Sequence, residues 1–306
     1  MTWLLDPLSL DFVLRALIGG AIVAAICGIV GTWVVIRGMA FLGEALAHGM
    51  LPGVALATLL GAPVLLGAAV SAAAMSFGIG IVQRRAKLSY DTSIGMLFVG
   101  MLALGVIVIS HSASFATDAT AILFGDILAI SAADLVQLAI ALAVTVAVAA
   151  LCHRALVAEA FDPRVASVLG LRPRLSRVAL VGLVTIAVVA SYQAVGSLLV
   201  VGLLLAPAVA AGHWTTRIPT RMVLAAVLGI AAVFVGLLVS WHAATAAGAS
   251  VAATAIAVAA LSGIARAGLT ALRARGRGNA LDAADRAVDR DPVLTGPTAG
   301  SVAPTP

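Results

Sequence analysis

Residues 37–53 read R-G-M-A-F-L-G-E-A-L-A-H-G-M-L-P-G, an apolar run that carries one carboxylate, Glu44, and one imidazole, His48. Residues four apart in a helix lie on one face, a turn above each other, so the two side chains converge on the same point. An acid and an imidazole at one point can hold a divalent metal. An acidic side chain at bilayer depth costs about 2.5–3.5 kcal/mol on insertion scales, and one that is present there usually faces a polar cavity. The alternative is purely structural, with Glu44 and His48 satisfying each other or a neighbouring helix. One chain supplies only two ligands where zinc takes four and manganese more, so a second copy must complete the site. A homodimer with this span at its two-fold axis would supply two carboxylates and two imidazoles. Gly43 and Gly49 beside the pair allow close approach, and Pro52 and Gly53 after it allow a bend.

Working outward, the 306-residue chain is 62% hydrophobic and 10% charged, with a mean hydropathy of +1.16. A soluble domain is about 45–50% apolar, so this composition marks an integral membrane protein of the lipid bilayer. Its apolar runs of about 20 residues match what a helix needs to cross about 30 Å of hydrocarbon. The expected fold is all-α, a polytopic transmembrane bundle. The net charge of +5 comes from basic residues scattered between the runs, a pattern that reports topology and does not suit nucleic acid. Cys27 and Cys152 lie inside apolar runs and read as small packing residues.

Candidate spans are 12–36, 40–60, 62–82, 94–110, 134–152, 178–192, 195–213, 222–241 and 249–267, nine in all; a broken or re-entrant 178–213 region would reduce them to eight. Arg37, then Arg84, Arg85 and Lys87, then Arg154 to Arg177, Arg217 and Arg221, and Arg266 to Arg277 all fall on one side of this arrangement. The positive-inside rule makes that side cytoplasmic, with the N-terminus outside and the C-terminus inside. Asp6 and Asp11 without Lys or Arg in the first eleven residues agree, and the missing cationic region makes the first run a retained span. The transmembrane domain is placed at 1–270. The tail 271–306, Arg-rich then Asp-rich then rich in Pro, Gly and Thr, is expected to be disordered.

Three connections carry further candidates. In 153–177, Asp162 can cap a helix begun by Pro163 and stopped by Gly170, with an apolar face of Val165, Val168 and Leu169 that needs a docking partner. Phe161 and the surrounding charges favour a soluble protein over lipid for that role. The patch 121–131 reads as a short external or re-entrant helix, and its Asp126 is placed to admit a cation or receive a docked protein. Asp91 opens the fourth span as an expected N-cap. His111 and His242 sit near external ends, and His153 and His213 near cytoplasmic ends, where they read as solvated or snorkelling. The chain has no G-x-x-x-x-G-K-[ST] loop, no H-E-x-x-H and no G-x-S-x-G, and Lys87 is its one lysine. It is therefore expected to be no enzyme, and any use of ATP belongs to another subunit.

Taken together, R-G-M-A-F-L-G-E-A-L-A-H-G-M-L-P-G at 37–53, D-T-S-I-G at 91–95, I-L-F-G-D-I-L at 122–128, F-D-P-R-V-A-S-V-L-G at 161–170 and V-G-S-L-L-V-V-G-L-L-L-A-P-A at 195–208 resemble the metal-specific ABC importer permeases of the manganese/zinc/iron type, the ABC-3 family. The resemblance covers residues 12–265. It implies a type II importer-like permease homodimer, two cytoplasmic ATPase subunits, an extracytoplasmic metal-binding protein, and no permanently bound cofactor beyond the transported Zn²⁺ or Mn²⁺. It implies that Glu44 and His48 coordinate the ion, with Glu44 standing where the family most often has Asp. It also implies a coupling helix at about 160–171, seated in a groove of the ATPase through Phe161, Asp162, Pro163, Arg164, Val165, Ala166, Val168, Leu169 and Gly170. Alternating access would then open the site to one side at a time. The rival reading is a proton-coupled secondary metal transporter, which works without an ATPase and leaves 161–170 without a purpose.

Overall fold

A computed structural model describes residues 10–86, 89–110, 125–161 and 173–289. In hydrocarbon each backbone N–H and C=O must find a partner within its own segment, so apolar runs fold as helices. These are α1 (Asp11–Ile36), α2 (Ala40–Gly49), α3 (Leu51–Leu60), α4 (Val64–Ala86), α5 (Tyr90–Ile109), α6 (Ala132–Phe161), α7 (Pro173–Trp214), α8 (Ile218–Ala243) and α9 (Ala247–Asp289), with a short 3-10 turn at Ile127–Ala129. The helices α2 and α3 make one span and α7 makes two, so nine stretches among the described residues are long and apolar enough to cross a membrane. The expected all-α polytopic bundle is the observed one.

Helix ends depart from the expected limits, because a helix once nucleated propagates through polar residues at little cost. The fifth span, expected at 134–152, runs on to Phe161 through Arg154 and Glu159. At the start of α5 the N-cap is Ser89, whose side chain accepts from the Thr92 N–H, and Asp91 stands in the first turn instead. Residues 271–289 are helical where a disordered tail was expected, so the boundary placed at 270 falls inside α9. Ala, Leu and Arg dominate that stretch and favour helix. Residues Met1–Leu261 form one compact unit and Ser262–Pro306 a second.

The question of eight or nine spans is settled at Gly196, where φ is 74° and ψ 166° inside α7. Only glycine adopts that backbone without strain. Arg177, near the start of α7, reaches Glu159, which also meets Arg37 just past the end of α1. By Gly196 the chain has come to Gly125, close to the level where Ile127 packs at Gly20 of α1. Beyond Gly196, the Val200 carbonyl faces Cys27 Sγ at 3.9 Å and the Leu204 carbonyl abuts Gly31. The second half of α7 therefore returns alongside α1 in the direction of α1, and 178–213 is a hairpin of two spans.

The first helix is the hub, packed against α6, α7 and α8. Its Gly20, Ala24 and Gly28 meet Val233, Gly229 and Ala226 in turn, so α8 runs antiparallel to it. Small residues serve here as expected, bringing backbones together where lipid supplies no hydrophobic drive. Cys27 is buried and neither cysteine is in a disulfide.

Candidate metal site

Pro52 sets the local geometry of the second span. It lacks the N–H that would bond the His48 carbonyl four residues back, and the helix is interrupted at Met50 alone, with α3 resuming at Leu51. On α2, Leu42, Ala45 and Leu46 are buried against the chain's own bundle. The opposite face carries Phe41, Glu44 and His48. Behind the pair, Ser71 donates to the Gly49 carbonyl at 2.8 Å, and a Cβ on Gly43 would lie 2.6 Å from Leu204 Cδ2. The span is thus wedged from behind and open in front.

Glu44 Oε1 and His48 Nε2 are 2.9 Å apart. Their side chains are 38% and 20% exposed, so the pair lies at the surface of the isolated chain within an apolar face. The Phe98 ring of α5 stands edge-on to His48 at 5.7 Å between centroids, and Phe41 backs Phe98 at 5.5 Å. This stack restrains the imidazole. With Nε2 turned to the carboxylate, the buried Nδ1 has no partner. Ligands about 2.1 Å from a tetrahedral zinc stand about 3.4 Å apart, so a cation seated between the two atoms needs them to separate by roughly half an ångström. Among the described residues no three His, Cys, Asp or Glu side chains converge on a metal-sized space, which leaves this pair two ligands short among those residues.

The other candidates are scattered. Asp126 is exposed and its Oδ1 accepts from the Leu128 N–H at 3.1 Å, capping the 3-10 turn. His242 is exposed, with Nδ1 2.8 Å from the Leu238 carbonyl. His153 stacks edge-on against Trp33 at 5.7 Å, and His213 has a buried Nδ1, so both are packed instead of solvated. His111 and residues 162–170 lie outside the described residues, while Phe161 ends α6.

Sequence reasoning passed over Glu159. Its side chain is fully buried, with Oε2 2.6 Å from Arg37 Nη2 and Oε1 3.5 Å from Arg177 Nη2. An acid in a basic connection reads as a solvated charge. No local signal marks it, because its burial comes from Arg37, 122 residues away in the chain.

The description "ABC 3 transport family" fits residues 9–266. The chain belongs to that family. Among its relatives, the manganese transport system membrane protein MntC of Listeria monocytogenes is 34% identical over 241 residues, 79% of this chain and 86% of that one. The chelated iron transport system membrane protein YfeD of Yersinia pestis is 32% identical over 239 residues, 78% of this chain and 80% of that one. The solved structure of PsaBC from Streptococcus pneumoniae in complex with Fab superposes with a TM-score of 0.76 at 31% identity, covering 85% of this chain and 94% of that one. The resemblance read from residues 12–265 is therefore correct. As a member of the ABC 3 transport family the chain is a multi-pass membrane transport permease and not an enzyme, with ATP hydrolysis expected in a separate subunit.

Proposed function

We propose that this permease imports a divalent transition metal, manganese being the cargo its relatives' names favour, through a site that two copies of the chain build from Glu44 and His48. The observation that carries the reading is the 2.9 Å pairing of a carboxylate with an imidazole on the one face of α2 that its own bundle leaves open. A carboxylate exposed along an apolar span is unfavourable against lipid, so a second protomer covers it. That protomer brings the site to four ligands. Oxygen ligands suit manganese, while imidazole suits zinc and iron as well. In this reading a binding protein hands over the ion on the outer side, where exposed Asp126 attracts it, and cytoplasmic ATPase subunits bear on residues 161–170. Release inward requires that the inward-open state bind the ion more weakly than the outward-open one.

The test is uptake of manganese into liposomes holding the permease, its ATPase subunits and the binding protein. ATP-dependent uptake that is lost in Glu44→Ala is the expected result. Uptake driven by a proton gradient, with the ATPase absent, would establish the secondary transporter in its place.

A further inference from the structure

We propose that Glu159 is a positioning residue that ties both flanks of the ATPase-facing segment to the helix carrying the metal pair. The proposal rests on the reading of residues 161–170 as the place where the ATPase bears. Glu159 lies in the last turn of α6, just before that segment, and Arg177 lies in the first turns of α7, just after it. Arg37 stands three residues ahead of α2 and seven ahead of Glu44. The link from Arg37 into α2 is tight, because the Gly38 and Met39 N–H groups bond back to the Val35 and Val34 carbonyls at 3.2 and 3.0 Å. A displacement of Arg37 is therefore passed to α2.

Helix stability does not account for an acid at this point. The C-terminal end of a helix carries the negative pole of its dipole, which disfavours a carboxylate. Here the carboxylate is also wholly buried, between one guanidinium whose side chain is 15% exposed and another that is 48% exposed. Arg37 answers both charges: Nη2 meets Glu159 Oε2, and Nη1 donates to the Glu159 backbone carbonyl at 3.2 Å. Neither Glu159 oxygen nor Arg37 Nε has a well-aligned hydrogen bond, so the cluster is held by charge more than by directional bonding. Buried ion pairs of this kind add little net stability against an apolar replacement, and their best-attested use is to set register. The fields of both arginines also reach the Tyr90 hydroxyl at the head of α5, two turns before the Phe98 that restrains His48. One cluster thus adjoins the flanks of 161–170 and the starts of the two helices that build the metal pair.

The experiment uses the full importer in liposomes, with manganese as the probe, and reads ATP hydrolysed and manganese moved in the same vesicles. Glu159→Gln keeps shape and removes charge. It is expected to hold manganese binding and ATP hydrolysis within twofold of wild type while manganese moved per ATP falls at least tenfold. Glu159→Asp, which restores the charge on a shorter arm, is expected to recover more than half of that ratio. Arg177→Gln, at a half-exposed side chain whose loss the fold tolerates, is expected to lower the ratio about threefold and decides the matter if Glu159→Gln does not assemble. A wild-type ratio in either glutamine variant overturns the proposal, as does a parallel loss of binding, hydrolysis and uptake, which marks a merely structural role. Wild-type vesicles that show no ATP-driven uptake overturn the functional reading itself.

Discussion

His48→Ala is expected to reduce manganese uptake by the assembled importer at least a hundredfold while the amount of permease in the membrane stays within twofold of wild type. A two-fold site loses two of its four ligands with this one substitution, and the two carboxylates that remain do not hold the ion. Folding is spared for a local reason. His48 has its hydrogen-bond partner, the Glu44 carboxylate, on its own helix, so removing the ring strands no polar group elsewhere in the bundle. Glu44→Gln is expected to behave alike, since the amide keeps the shape but removes the charge that offsets a dication in a low-dielectric setting. Uptake of radioactive manganese, set beside membrane levels of the chain, checks both. Undiminished uptake in either variant removes the pair from the pathway.

The second large effect is structural. A side chain at Gly31 would overlap the Leu204 carbonyl oxygen, so the obstacle is backbone and cannot turn aside. Overpacking of a well-packed interior costs about 1–3 kcal/mol even where side chains can yield, and here the central helix and the returning half of α7 must part. Gly31→Leu is expected to abolish the monodisperse, cooperatively melting permease in detergent. Gly182→Ala meets nothing within 4 Å and is expected to melt within a few degrees of wild type. Equal behaviour of the two variants would show that the contact between α1 and α7 does not hold the bundle together.

Much of this architecture is legible in the residues because a bilayer imposes a length and a polarity on each span. The nine runs, the helical fold and the prominence of Glu44 and His48 all follow from that constraint. Which residue makes the reversal between the sixth and seventh spans does not, since glycine is abundant throughout the spans and the conformation of one residue among many leaves no trace in composition. Helix ends are illegible for the converse reason: hydropathy marks where apolar residues stop, and Ser89 or Glu159 continue or cap a helix beyond that point. Glu159 was hidden because its burial comes from Arg37, 122 residues away in the chain. Phe98 was hidden because an aromatic ring in an apolar run signals nothing until its neighbour is known.

The central claim is that two chains share one metal. The most direct measurement is the number of manganese ions bound per chain in the purified permease, by equilibrium dialysis, with His48→Ala alongside. One ion per two chains, lost in the variant, is the predicted result. One ion per chain, or binding that survives the substitution, would contradict it.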